Sequence, residues 1–261
     1  MSTKGKKRAR SSPTPKAAPT LKNLWQRQPQ SQGASAAAPI EVEAPTPAPA
    51  PLARGASARN SAAASESKHI QLEGDTGSLR FWPSLLIGAQ ARLFEALARI
   101  PETQDPGYGG GWMQRAIKMH GGEKMQPRLT CSFGREGVSY RYSGKTLKAA
   151  PWDKVDPIQE ILREVERAVG VKSEFFTYVL LNWYRDGEEH MGWHSDDERD
   201  LEQGAPIASV SLGDPRTFQL RRTTNHSQKV EFELRGGSLL TMEGSTQKHW
   251  QHCIPKRTAR R

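Results

Sequence analysis

The chain has 261 residues and a formal net charge of +10, from 38 Lys and Arg against 28 Asp and Glu. Residues 1–68 hold 11 of the basic and three of the acidic side chains, so the positive charge is concentrated in the N-terminal part. No run of 18 apolar residues occurs, so no membrane span is expected. The two cysteines, Cys131 and Cys253, do not make a disulfide framework and favour a reducing compartment.

Residues 1–75 are predicted to be a disordered basic tail, because Ala, Ser, Pro and Gln dominate and bury little apolar surface. The cluster KGKKRAR, from Lys4 to Arg10, favours nuclear targeting. In the apolar island PTLKNLWQR, Leu21, Leu24 and Trp25 lie at the spacing of a helical docking peptide. This island faintly resembles the docking box that binds sliding clamps, which predicts a clamp as a partner.

Residues 76–261 are predicted to form one α+β domain. Helical periodicity covers Leu85 to Ile100 and ends before Pro101. A second helix is predicted from Asp156, as N-cap, to Gly170, as the left-handed residue at the C-terminus. Its buried face is predicted to carry five apolar residues: Ile158, Ile161, Leu162, Val165 and Val169.

Alternating or apolar segments typical of strands make up most of the remaining domain. In chain order they cover 138–144, 175–184, 206–213, 217–222, 229–237 and 238–244. Two helices accompanied by many short strands indicate that the C-terminal half of the domain is a sandwich or a barrel.

The stretch HMGWHSDDERDL, residues 190–201, indicates a metal site. His194 and Asp196 are two positions apart, a spacing that directs both side chains to one face at the end of a strand. His252, 56 positions after Asp196, could return beside them in a sandwich. Two imidazoles and one carboxylate form the facial triad of non-haem Fe(II) oxygenases. The alternative, a helical zinc pair from His190 and His194, is disfavoured by the neighbouring glycines.

Three linked motifs together resemble the AlkB family of Fe(II)/2-oxoglutarate nucleic-acid dealkylases. They are LLNWYRDGEEHMGWHSDDERDL, then APIASVSLGDPRTFQLRR, then GGSLLTMEGSTQKHWQHCIP. The similarity extends from about Phe81 to Pro255 and is strongest to the eukaryotic DNA-repair branch. It implies a double-stranded β-helix, or jelly roll, with N-terminal helices and a nucleotide-recognition hairpin region.

The resemblance also implies the cofactors and the residues that bind them. Fe(II) would be held by His194, Asp196 and His252, and 2-oxoglutarate would contact Asn182 and Tyr184, with O2 as the second co-substrate. The implied reaction is the oxidative demethylation of 1-methyladenine and 3-methylcytosine, which releases formaldehyde. DNA with alkylated bases is the implied partner, with RNA as an alternative, and a nuclear monomer is expected.

For the substrate, the resemblance implies a base pocket formed by Tyr140, Tyr142 and Glu198. The segment AIKMHGGEKMQPR predicts a hairpin that contacts the nucleic-acid groove, with Met119 and His120 at the positions of the inserted wedge. The branch of the family that prefers duplex DNA has a phenylalanine at this position, which this chain lacks. Phosphate contacts are expected from the basic tail and from five basic residues of the domain: Lys118, Lys124, Arg128, Arg221 and Arg222.

One departure from the family pattern concerns the 2-oxoglutarate site. Members of the family end their core with a strand bearing two arginines, one of which pairs with the far carboxylate of 2-oxoglutarate. Only nine residues follow His252, so the domain is expected to lack this final core strand and to leave a neighbouring strand edge unpaired. Two functions remain open: an active demethylase, or a nucleic-acid-binding protein on the same scaffold with weak or no turnover.

Overall fold

The structure, a computed structural model, describes residues 20–27, 66–119, 122–142, 145–153, 155–198 and 201–257. The strands are β1 (Thr20–Gln26), β2 (Lys68–Gln71), β3 (Ser78–Trp82), β4 (Ala116–Met119), β5 (Gly122–Met125), β6 (Leu129–Gly134), β7 (Ser139–Tyr142), β8 (Lys145–Lys148), β9 (Ala150–Pro151), β10 (Tyr178–Tyr184), β11 (Met191–His194), β12 (Ile207–Gly213), β13 (Arg216–Arg222), β14 (Lys229–Leu234), β15 (Leu239–Glu243) and β16 (Trp250–Ile254). The helices are α1 (Gln90–Ala98), α2 (Asp156–Val169) and the short α3 (Thr246–His249).

Two sheets form the body of the domain. Eight strands make the larger sheet, in the order β2-β3-β15-β12-β1-β10-β6-β9, and four make the smaller one, in the order β11-β16-β13-β14. All pairings within these sheets are antiparallel except β6 with β9. The predicted α+β class with a strand-rich sandwich is therefore confirmed.

Two apolar layers result from the alternation of side chains along the central strands. Leu180 and Tyr184 of β10 pack with Phe218, Leu220 and other side chains of the smaller sheet, so this layer fills the space between the sheets. The intervening residue Leu181 packs instead with side chains of α1 and α2, which cover the other face of the larger sheet. Since β10 is buried on both faces, its nearly continuous apolar sequence is explained.

The structure confirms the predicted buried face and the predicted C-terminus of helix α2. All five predicted face residues are buried, and Gly170 ends the helix in the left-handed conformation with φ of 78°. The predicted capping role of Asp156 is wrong, because Asp156 is the first helical residue and Val155 is the N-cap. The carboxylate still lies in the first turn, where it interacts favourably with the helix dipole.

Helix α1 is shorter than the predicted range, because the segment before it forms turns against another loop. The backbone N–H of Leu86 donates to the carbonyl oxygen of Gly237 at 2.8 Å. Gly237 has φ of 86°, and a Cβ there would lie 2.7 Å from the backbone nitrogen of Ile87. This close backbone contact replaces the first predicted helical turns, and α1 begins only at Gln90.

The prediction of disorder across residues 1–75 is wrong for two segments, β1 and β2. Strand β1 lies inside the larger sheet, where it pairs with β10 on one side and β12 on the other. Leu21 is fully buried in the layer beneath the helices. The apolar island PTLKNLWQR contains β1, but its pairing depends on strands that are distant in the sequence.

The position of β1 corrects two further expectations. Leu21 is buried in the core, so it is unavailable to the groove of a sliding clamp. The expected unpaired edge is also not observed among the described residues, since β1 lies between β10 and β12. The cluster Lys4–Arg10 lies outside the described residues.

The predicted hairpin is confirmed as β4 and β5, with Met119 paired to Gly122. His120 and the side chain of Met119 lie outside the described residues, so their role as a wedge stays a prediction. Both cysteines are buried, and neither forms a disulfide bond. None of the described helices has the length and apolar character needed to cross a membrane.

Candidate metal centre

The three predicted metal ligands meet between the two sheets. His194 ends β11 and is the direct register partner of His252 on the neighbouring strand β16. Asp196 follows two residues after His194 and lies 3.7 Å, through Oδ1, from His194 Nε2. Its Oδ2 lies 3.4 Å from His252 Nε2. One candidate ligand atom from each residue lies within 4.8 Å of the others.

Neighbouring groups orient these side chains. The Nδ1 atom of His194 lies 2.9 Å from the carbonyl oxygen of Gly192. A carbonyl only accepts, so this contact favours the tautomer with the proton on Nδ1 and leaves the Nε2 lone pair for a metal. The Asp196 backbone N–H donates to Gln247 Oε1 at 2.9 Å. The Ser195 hydroxyl donates to the carbonyl oxygen of Trp250 at 3.1 Å, which ties this loop to β16.

The donor set fits one divalent metal ion. Ligand bonds to imidazole and carboxylate are about 2 Å long, so an ion could contact all three atoms after small side-chain rotations. Asp196 and His252 are buried, with exposed fractions of 6% and 5%. A buried carboxylate between two imidazoles is the 2-His-1-carboxylate arrangement that leaves adjacent coordination positions open in non-haem iron oxygenases.

The residues expected to contact 2-oxoglutarate lie on the inner face of β10. Asn182 is buried, and its Oδ1 accepts a 2.6 Å hydrogen bond from Arg128 Nε. Because Oδ1 is engaged, the amide nitrogen of Asn182 is the group left to donate to a ligand. Tyr184 is buried two residues further along, and the guanidinium of Arg216 stacks 5.0 Å from its ring centroid.

The expected contact between Arg128 and phosphate does not fit the structure. Arg128 is only 3% exposed, whereas a contact with the nucleic-acid backbone needs an accessible guanidinium. Its hydrogen bond to Asn182 instead orients the amide that would contact the co-substrate. Sequence spacing could not reveal this, because the two residues are 54 positions apart.

The substitution Arg128→Met tests this orienting role. We expect it to leave Asn182 Oδ1 without its donor, to lower the free energy of unfolding by about 1–3 kcal/mol and to weaken 2-oxoglutarate binding. Denaturant titration and calorimetry measure the two effects. Arg163→Met, at an exposed position of α2, is the matched control and is expected to change neither. Unchanged 2-oxoglutarate affinity in Arg128→Met would contradict the role.

A buried polar group not anticipated from the sequence lies at the start of β10. Burial raises the pKa of the Tyr178 phenol above its ordinary value, and the nearby Glu198 carboxylate raises it further. Burial also raises the pKa of the Cys131 thiol and lowers that of the Arg115 guanidinium. Glu198 therefore lies within electrostatic range of Tyr178, which shares its strand face with Asn182 and Tyr184. The two-residue period of YVLLNWY is the signal that could have identified Tyr178.

The remaining predicted base-pocket residues, Tyr140 and Tyr142, lie on β7. They pair in register with Leu147 and Lys145 of β8. Their rings lie outside the described part of the structure, so their contact with a base stays a prediction.

Comparison with known proteins identifies the family. A model of the 2OG-Fe(II) oxygenase superfamily matches residues 88–260. The chain belongs to this superfamily. Within it, the chain is an AlkB-family protein, 35% identical over 205 residues to human DNA oxidative demethylase ALKBH2, covering 75% of this chain and 73% of that protein.

Other relatives match shorter parts. The human alpha-ketoglutarate-dependent dioxygenase alkB homolog 3 is 35% identical over 154 residues, or 56% of this chain and 51% of the relative. ALKBH2 of Arabidopsis thaliana is 31% identical over 170 residues, or 56% and 53%. A solved structure of OsALKBH1 aligns with a TM-score of 0.41 at 15% identity, over 68% of this chain and 84% of that chain.

Membership of the family fixes the class of chemistry. The protein is a dioxygenase that uses Fe(II), 2-oxoglutarate and O2. The jelly-roll expectation is confirmed, because the matched family model spans both facing sheets. His194, Asp196 and His252 are the residues that fit the iron, by donor type and by distance.

Proposed function

We propose that this AlkB-family protein removes methyl groups from 1-methyladenine and 3-methylcytosine in DNA, with His194, Asp196 and His252 holding the Fe(II). The convergence of these three side chains carries the proposal, because two imidazoles and one carboxylate with candidate ligand atoms within 4.8 Å of one another support an Fe(II) oxygenase centre. Its relatives named DNA oxidative demethylase ALKBH2 support DNA as the substrate.

The proposed reaction is a direct reversal of damage. Bound Fe(II), 2-oxoglutarate and O2 supply the hydroxylation of the N-methyl carbon, with one oxygen atom entering the methyl group. The other oxygen atom enters succinate as 2-oxoglutarate loses CO2. The hydroxymethyl base then loses formaldehyde and regains its pairing edge.

Recognition requires the damaged base to leave the duplex, because the methyl group lies on the edge that faces the complementary base. N-methylation makes the base cationic, so a nearby carboxylate favours it. Glu198, partly buried and within electrostatic range of Tyr178, is the proposed group. The hairpin formed by β4 and β5 is proposed to contact the groove. All four residues of β5 are exposed, and Met125, at 56% exposure, offers an apolar side chain.

A demethylation assay tests the proposal. The full chain is incubated with Fe(II), ascorbate, 2-oxoglutarate and oligonucleotides carrying one 1-methyladenine or 3-methylcytosine, as single strands and as duplexes. We expect formaldehyde and succinate in equal amounts and loss of the methyl mass from the base. His194→Ala is expected to abolish all three signals. His249→Ala, a nearby histidine outside the triad, is expected to retain them.

Two outcomes would overturn the proposal. Binding of the methylated oligonucleotide without formaldehyde or succinate would assign the chain to a non-catalytic nucleic-acid-binding role. Demethylation of the matching RNA oligonucleotides, with none of the DNA ones, would change the substrate class.

Nuclear location is a separate part of the proposal. It is supported by the basic cluster from Lys4 to Arg10 and by DNA as the proposed substrate. A fluorescent fusion of the full chain is expected in the nucleus. Replacing Lys6, Lys7 and Arg8 by alanine is expected to redistribute it, and an unchanged distribution would contradict the role of the cluster.

A further inference from the structure

Strand β1 occupies an internal position in the larger sheet although it comes from the N-terminal region of the chain. Leu24 pairs in register with Leu180 of β10 and with Ser209 of β12. Strand β1 pairs with β10 from Thr20 to Gln26 and with β12 from Thr20 to Trp25. Strand β10 also carries Asn182 and Tyr184, so β1 is the direct neighbour of the strand that would contact the co-substrate.

Both ends of β1 are fixed by hydrogen bonds. At its start, the Thr20 hydroxyl donates to the carbonyl oxygen of Asp214 at 2.8 Å. At its end, the N–H of Thr177 donates to the Gln26 carbonyl oxygen at 3.0 Å. The next residue, Arg27, pairs through Nε with Glu202 at 2.5 Å. The strand is therefore held in one register, which gives Gln26 a defined position at its end.

The end of β1 forms part of a cavity of about 360 Å³ beside the metal centre. Its lining includes Gln26, the metal-site residue Asp196 and Gln247, which orients Asp196. The Gln26 side chain is only 1% exposed. Its Oε1 and Nε2 atoms are both buried and have no hydrogen-bond partner among the described residues.

An amide buried without partners indicates that a ligand supplies them, because leaving buried donors and acceptors unpaired is unfavourable. The charges around the cavity favour an anion. Arg27 already compensates Glu202, and Asp196 would be compensated by the metal. Exposed Lys248 remains in the lining as a positive charge.

We propose that Gln26 binds 2-oxoglutarate, with its Nε2 amide group donating to a carboxylate oxygen in this cavity. Strand β1 thereby completes the co-substrate site from the N-terminal region of the chain. A co-substrate bound at the open metal positions lies next to the metal ligands, and Asp196 is both such a residue and part of the cavity wall. The inference rests on the co-substrate of the family and is independent of the nucleic acid that is oxidised.

Calorimetric titration of 2-oxoglutarate into the full chain loaded with Mn(II), without O2 and without nucleic acid, tests this inference. We expect Gln26→Leu, which keeps the approximate size and removes the amide, to weaken 2-oxoglutarate binding by about tenfold. Mn(II) affinity and Tm are expected to stay close to those of the parent. Gln203→Leu is the matched control, because Gln203 lines the same cavity but is exposed, and it is expected to bind as the parent does.

Affinity within twofold of the parent for Gln26→Leu would overturn the inference. If Gln26→Leu does not fold, Gln26→Glu takes its place, since it keeps the size and polarity of the side chain but repels a carboxylate. Unchanged 2-oxoglutarate affinity in Gln26→Glu would equally overturn it. Since no oligonucleotide is present, neither result depends on whether the protein demethylates DNA.

Discussion

Replacing Asp196 by alanine is expected to abolish turnover and to weaken metal binding by more than about a hundredfold. Mutation of a group that only hydrogen-bonds to a metal ligand lowers metal affinity by about ten- to hundredfold. Loss of a ligand itself is expected to have a larger effect. Asp196 carries the negative charge of the triad and contacts both imidazoles. Its removal leaves two neutral donors and no charge to compensate the metal ion.

Anaerobic titration with Fe(II) or Mn(II) measures the loss of metal affinity, and succinate formation measures turnover. Asp197→Ala is the matched control, because the adjacent carboxylate is exposed and outside the triad. It is expected to behave as the parent. Retention of metal affinity in Asp196→Ala would show that the metal binds elsewhere, and the proposed centre would then be wrong.

Replacing Leu21 by alanine is expected to lower the free energy of unfolding by about 2–5 kcal/mol, the usual cost of removing a fully buried leucine side chain. Leu21 has an exposed fraction of 0% and packs in the layer between the larger sheet and the helices. The cavity left there cannot be refilled easily, because Leu21 is on an internal strand held from both sides.

Chemical denaturation of the full chain measures this effect. Ile87→Ala is the control, since Ile87 is 61% exposed and its truncation is expected to change stability by no more than about 0.5 kcal/mol. If Leu21→Ala matched the parent within that margin, β1 would not be part of the folded core. The position inferred for Gln26 would then lose its basis as well.

The sequence alone identified the elements whose signals are local. Helix α2 is predicted because its apolar period and its terminal glycine lie within one segment. His194 and Asp196 were recognised together because two residues of spacing suffice to direct both side chains to one side. His252 could be proposed as the third ligand, but only the direct pairing of β11 with β16 brings its ring centroid within 4.1 Å of that of His194.

Only the tertiary structure determined the features that depend on contacts between residues distant in the sequence. The apolar island around Leu21 was consistent with a docking peptide, and its place in the sheet depends on strands more than 150 positions later in the chain. The sequence predicts that Arg128 is a surface cation. In the structure its side chain donates a hydrogen bond to Asn182, which is 54 positions away. A residue's own sequence neighbourhood fixes its local conformation, whereas burial and hydrogen-bond partners depend on which remote segments pack against it.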